Sequence, residues 1–355
     1  MKKTIASALS AAALMWLGGT AMAQQPCHTA PVWQAPVHDL NSCDSCCSGG
    51  FYGSASALWL KPRWDNNLAF TTNTNFADGV NFASNVTSTQ FSHDLQFQPR
   101  VIAGYESCDG IGGRVRWFRG WWSDSQVGID PVGPPDGGSS SANPLGLAIN
   151  SFGSAVAPAA ISSASNLRLQ TWDLEATKTA KIGGLDLTLA AGSRYLHMTQ
   201  HYDMHIATPG GDVFVAQALV ADHSQNLLGP TAAIEGRLAL GGGLALYTAG
   251  RVSVLFGDGR QSATSIQYGA DFGFGEPVTA QGSSVNRDTV MPVTELEIGA
   301  EFSTSMGSSQ LFAQGGFVGQ VYYGAGNSSR SGNFANESNS NLGLVGFAFT
   351  VGVRY

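Results

Sequence analysis

Apolar side chains recur at every second position in short runs along this chain, the spacing that places them on one face of a β-strand. The C-terminal run Gly343–Tyr355 is the clearest. Val345, Phe347, Phe349, Val351, Val353 and Tyr355 fall on one face, and Leu344, Gly346, Ala348, Thr350, Gly352 and Arg354 on the other. The same alternation predicts strands at Phe51–Arg63, Asp94–Glu106, Gly113–Trp122, Thr171–Lys178, Leu185–Tyr195, Leu227–Leu238, Leu244–Phe256, Pro292–Phe302 and Gln310–Tyr323. Two places resist it: Leu58 and Leu60 sit on the polar face of the first run, and Arg119 breaks the parity of the third. The connections alternate in length. Those at Ser107–Gly112, Thr179–Gly184, Ala239–Gly243 and Ser303–Ser309 are short, and those at 64–91, 123–167, 199–224, 258–288 and 324–342 are long. A soluble sandwich has no reason to shorten every second connection. A transmembrane antiparallel up-and-down β-barrel does, with short turns in the periplasm and long loops outside the cell. The expected fold is therefore all-β, with ten strands over 51–355, or twelve if material in 64–91 or 213–220 adds a hairpin.

Composition narrows the class. The chain has 355 residues, of which only 12% are charged, together with 45 Gly, 8 Trp, 18 Phe and 9 Tyr. A soluble domain usually carries about a quarter charged residues, and a disordered one few aromatics. The net charge of −7 disfavours a nucleic-acid binder, which shows a basic face. The aromatics Trp117, Phe118, Trp121, Trp122, Tyr195, Tyr202, Tyr322 and Tyr323 gather near strand ends, as interfacial girdles do.

The start of the chain sets the compartment. Lys2 and Lys3, the apolar stretch Ile5–Leu17 and the Ala21-Met22-Ala23 site form a secretory signal peptide over 1–23. Residues 24–50 hold Pro26, Pro31 and Pro36 and the cysteines Cys27, Cys43, Cys46 and Cys47. With Cys108 in a short turn on the same side of the membrane, they are candidate disulfide partners in an exported chain. Their number is odd, so one thiol is left over or pairs between chains.

Parity places a charged set on the lumen face. Arg100, Arg114, Arg116, Asp173, Glu175, Arg194, Glu235, Arg237, Arg251, Glu295, Glu297 and Glu301 are the expected pore-lining residues, with Arg354, Asp94, Glu106 and Asp186 on the same side. Such a lining can filter solutes or brace and fill a narrow wall with Arg–carboxylate pairs. The filter reading carries a weak cation preference, reduced by neutralising Glu295, Glu297 and Glu301. His201, Asp203 and His205 alternate and share a face, so together with Asp212, Asp222 and His223 they could bind metal or activate water at the outer rim. Neither Gly-x-Ser-x-Gly, His-Glu-x-x-His nor a P-loop occurs. No catalytic role, metal or other cofactor is expected.

Four stretches carry a resemblance: Phe51-Tyr-Gly-Ser-Ala-Ser-Ala-Leu-Trp-Leu-Lys-Pro; Arg100-Val-Ile-Ala-Gly-Tyr-Glu with Gly113-Arg-Val-Arg-Trp-Phe; Asp173-Leu-Glu-Ala with Ala191-Gly-Ser-Arg-Tyr; and Gly229-Pro-Thr-Ala-Ala-Ile-Glu-Gly-Arg. They resemble the Legionella-type major outer-membrane protein family of pore-forming barrels. The resemblance implies a porin-like channel for passive diffusion of small hydrophilic solutes or ions, and disulfide-linked homo-oligomers. A closed structural or adhesive barrel is the alternative, and a rim hydrolase a third. The expected partners are outer-membrane lipid and the barrel-assembly machinery, the latter through the strand ending at Tyr355. The expected place is the bacterial outer membrane.

Overall fold

The computed structural model describes residues 49–65, 67–78, 81–130, 139–142, 148–150, 159–207, 215–269, 277–328 and 340–355. The expected signal peptide, Cys27, Cys43, Cys46, Cys47 and Asp212 lie outside the described residues.

Ten antiparallel strands close into a barrel: β1 (Gly50–Trp64), β4 (Gln96–Glu106), β5 (Ile111–Asp130), β8 (Ala159–Ile182), β9 (Leu185–Ala207), β10 (Val215–Gly241), β11 (Leu244–Gly269), β12 (Pro277–Met306), β13 (Ser309–Tyr322) and β14 (Leu342–Arg354). The first and last strands meet with Ser54 opposite Gly352 and Trp59 opposite Phe347, which leaves the sheet no free edge. The expected ten strands are all present, and each expected short connection is a tight turn. Gly110, Gly183, Gly242 and Gly307 occupy those turns at positive φ, where a side chain would strain the backbone. Chain end Tyr355 lies at this same end of the barrel, its N–H donating to the Phe51 carbonyl at 2.9 Å.

The long connections differ from the expected loops. Strands β8 to β12 run for 24, 23, 27, 26 and 30 residues, where about 9–11 suffice to span a membrane. Most of 199–224 and 258–288 is therefore continued strand, because the two partners keep pairing beyond the apolar band. Region 64–91 does add a hairpin, β2 (Leu68–Asp78) with β3 (Asn81–Gln90), but not to the barrel. It pairs with β6 (Ser139–Ala142) and β7 (Ala148–Asn150) in a separate four-stranded sheet. The barrel count stays at ten.

The alternation expected from sequence fixes which side faces lipid. Val345, Phe347, Phe349, Val351, Val353 and Tyr355 are all exposed on the outer face of β14, as are Leu228, Ile234 and Leu238 on β10 and Leu296, Ile298 and Phe302 on β12. Of the expected girdle, Trp121, Tyr195 and Tyr323 stand outward, while Phe118, Trp122, Tyr202 and Tyr322 are buried inside. Neighbours on a strand point to opposite faces, so a pair such as Trp121-Trp122 cannot serve one girdle.

The interior is packed in layers, read in order along the inner face of β9. Asp186 lies near the turn, then Arg194 among charges, then Leu196 and Met198 among apolar side chains. Gln200 follows among polar groups, then Tyr202 and Met204 in a second apolar cluster.

Candidate functional site

The inner wall carries every expected pore-lining residue, and the structure pairs them all. At the centre, Arg194 sends Nε and Nη2 to Asp173 at 2.6 and 2.8 Å and Nη1 to Glu295 at 2.5 Å. Arg116 bridges the same two carboxylates at 3.1 and 2.7 Å. Arg114 joins Glu175 at 2.7 Å and Glu235 at 2.5 Å, and Arg251 contacts Glu175 and lies 3.7 Å from Asp173. Arg100 grips Glu297, whose Oε1 also accepts from the Tyr247 hydroxyl at 3.0 Å. Tyr247 can lie there because Gly299 and Gly316 form its floor: a Cβ on either would meet its ring or hydroxyl within 3 Å. Nearer the short turns, Glu301 accepts from Arg237 at 2.7 Å and lies 3.6 Å from Arg354, and Asp186 lies 3.5 Å from Arg237.

Seven guanidiniums thus face seven carboxylates. Within this set the two signs balance. Neutralising Glu295, Glu297 and Glu301 would take the carboxylate from Arg100 and one carboxylate each from Arg116, Arg194 and Arg237, which keep Asp173 or Asp186. Arg100–Glu297, Arg114–Glu235 and Arg194–Asp173 are two-pronged forks, the geometry that makes burial of such charges most tolerable.

Above the charges lies a layer that the sequence reading did not assign. Leu58, Leu60, Phe118, Trp122, Leu167 and Leu169 meet Leu196, Met198, Leu227, Leu255, Met291, Val293, Val318, Tyr322, Leu342, Leu344 and Ala348 in one buried cluster. Every barrel strand but β4 contributes. Strand β4 instead supplies buried Gln98, which donates to the Trp121 carbonyl at 2.8 Å. The Trp122 indole N–H donates to the Leu60 carbonyl at 2.8 Å. Leu58 and Leu60, which broke the parity of the first strand, are inward residues of this layer.

The segment after β13 closes the next level. Ala325 to Ser328 are buried inside the outer mouth of the barrel. Gln200 Nε2 donates to the Gly326 carbonyl at 3.2 Å, Trp64 Nε1 to the same carbonyl at 3.3 Å, and Ser328 N to Gln200 Oε1 at 2.9 Å. Over it, the base of the β2–β3 hairpin packs Ala69, Phe70 and Phe91 against Tyr202, whose hydroxyl donates to the Ala69 carbonyl at 2.7 Å.

His223 belongs to this outer level, five positions beyond the lipid-facing Leu228. Burial and the nearby Arg287 push its pKa down to about 4. The unfolded ring takes a proton near 6.5. The packing of this level is therefore fully stable above about pH 6.5 and weakens as pH falls toward 4, by on the order of 3 kcal/mol. Gly326 N–H, bonded to the Ser340 carbonyl at 3.0 Å, reports it. Its protection from hydrogen exchange should drop roughly a hundredfold between pH 7 and pH 4, after correction for the intrinsic rate. In His223→Phe the drop should vanish.

The expected rim group lies elsewhere. His201, Asp203 and His205 share a face as the alternation requires, but it is the outer face of β9. His201 Nδ1 is 2.7 Å from Asp222, and Asp203 lies 3.8 and 3.7 Å from His201 and His205. Both imidazoles are exposed. Among the described residues, no three His, Cys, Asp or Glu side chains gather in a metal-binding group. Cys108 is exposed in the turn between β4 and β5, at the end of the barrel that holds Tyr355.

Comparison with known proteins places the barrel. No curated protein matches the chain. Among solved structures, the outer membrane protease OmpT of Escherichia coli is 10% identical, with 86% of this chain and 96% of that one covered at a TM-score of 0.38. Outer-membrane expressed OmpT of Vibrio cholerae is 11% identical, with 86% and 97% covered at 0.19. OccAB1 of Acinetobacter baumannii is 10% identical, with 86% and 96% covered at 0.12. None of these superpositions is close enough to carry a function across. The family match is of another order: the model of the Legionella pneumophila major outer membrane protein precursor fits residues 45–355. With its closed ten-stranded barrel and lipid-facing apolar band, this chain is a bacterial outer-membrane protein and belongs to the Legionella major outer membrane protein family.

Proposed function

We propose that the barrel is closed in its resting form and acts as a scaffold, holding the extended strands β8 to β12 and the β2–β3 hairpin beyond the membrane surface. One observation supports this reading: nine of the ten barrel strands send buried apolar side chains into one cluster, from Leu58 to Ala348, directly above the paired charges. A water-filled path needs polar wall and free width through its whole length. Each large apolar side chain drawn into water costs about 1.5–3 kcal/mol, so thermal fluctuation alone does not keep the layer open.

Porin-like passage of small hydrophilic solutes or ions is the second reading. The charged lower wall favours it, since seven guanidiniums and seven carboxylates would line a path once the layer above had parted. Passage would begin with withdrawal of the segment at 324–328 and separation of the apolar layer.

Conductance in a planar bilayer decides between them. The refolded, heat-modifiable wild type should insert without single-channel steps. Reproducible steps from it, with or without reductant, would overturn the closed scaffold in favour of the channel.

A further inference from the structure

A cavity of about 180 Å³ opens at the outer level, between β10, β11, β12 and the segment Gly324–Gly326. His223, Gln225, Gln261, Arg287, Asp288 and Thr289 line it. Its volume matches about six water molecules at ~30 Å³ each.

Two polar atoms on its wall lack partners, and their hydrogen-bond accounts can be closed. Gln225 Nε2 lies 3.0 Å from His223 Nε2 and 3.3 Å from the Ala325 carbonyl oxygen. An amide nitrogen has two hydrogens, and these two contacts use both. Flipping the amide would set its oxygen against the Ala325 carbonyl, so the orientation is fixed. His223 Nε2 is then an acceptor, and the proton of the neutral ring sits on Nδ1. That Nδ1–H finds no acceptor, and Gln225 Oε1 finds no donor, although both side chains are at least 95% buried. Each orphan costs about 1–3 kcal/mol if left so.

The pair selects its ligand by chemistry. An anion would satisfy the His223 donor and repel the Gln225 oxygen, and a cation would do the reverse. A hydroxyl accepts and donates at once. Arg287 and Thr289, which share the inward parity of Met291 and Val293 on β12, stand at the cavity edge and offer polar groups to further hydroxyls. We propose that this cavity binds a small uncharged polyhydroxy compound of monosaccharide size, whose hydroxyls accept from His223 Nδ1–H and donate to Gln225 Oε1. The site stands on the outer side of the apolar layer, so it does not depend on whether the barrel conducts.

The test uses the refolded full barrel in detergent, with D-glucose, D-galactose and glycerol as probes and inorganic phosphate as the charged control. Saturation-transfer NMR and calorimetric titration should show saturable binding of at least one neutral probe and none of phosphate. Gln225→Met removes the acceptor and should weaken that binding by about tenfold or more, with heat-modifiable mobility retained. On the wild type itself, a saturating neutral probe should slow hydrogen exchange at Gly326. Three results would each overturn the proposal: no neutral probe saturating, in which case the cavity holds water only; phosphate binding more tightly than the sugars; or full sugar affinity in Gln225→Met.

Discussion

Replacing Asp173 by alanine is expected to destabilise the folded barrel by about 3–5 kcal/mol, the range for removing one partner of a buried ion pair. Asp173 is the hub of the central charges. It takes two hydrogen bonds from Arg194 and one from Arg116, and Arg251 stands 3.7 Å away. Its side chain is fully screened from solvent, as is that of Arg194. The alanine leaves three guanidiniums in a water-poor lumen with Glu295, Glu175 and Glu235 to share. Equilibrium urea unfolding of the barrel in lipid vesicles measures the loss. The double variant Asp173→Ala, Arg194→Met should lose less than the sum of its single changes, because it removes charge of both signs together. A loss below about 1 kcal/mol for Asp173→Ala would mean that water reaches these side chains and that the lumen is wet at this level.

Replacing Trp122 by alanine should cost a similar 3–5 kcal/mol, for a different reason. The indole is the largest of the fully buried side chains. Its removal leaves a void in the apolar layer and takes away the donor that holds the Leu60 carbonyl. The same urea titration reads the stability. Bilayer conductance reads the barrier: if this layer is what stops water, Trp122→Ala should show single-channel steps where the wild type shows none. A destabilised variant that stays silent would move the barrier to the inserted segment at Ala325–Ser328 or to the ion pairs below.

The outer face of the barrel was legible because lipid imposes one rule on every strand. Each outward position had to be apolar, and period-two alternation displayed that without reference to any partner. Strands β4, β13 and β14 follow their expected limits within a few residues. The same alternation put Arg194 and Asp173 on one wall. It did not show that they touch, because their contact joins strands through a register that no single strand encodes.

The inner apolar layer had a signal of its own. Leu58 and Leu60, then Leu167 and Leu169, Leu196 and Met198, and Met291 and Val293 are apolar residues at lumen parity, on strands whose lumen face is polar or charged nearer the short turns. In one strand such a pair reads as an exception. Only closure of the barrel brings them to one height and turns them into a core. The aromatic residues misled for a related reason. Trp121 and Trp122 are adjacent in sequence, but one meets lipid and the other fills the lumen.

Sequence alone pointed to an outer-membrane barrel of ten strands, or twelve, to its short turns and to the lipid-facing apolar side of each strand, since alternation against a uniform apolar solvent is a local pattern. The tertiary structure decided what fills the lumen. Which charge meets which, where the apolar side chains converge, and how residues 324–328 fold back into the mouth all depend on relative strand register around a closed ring. Register is a relation between segments far apart in the chain, and no local pattern contains it.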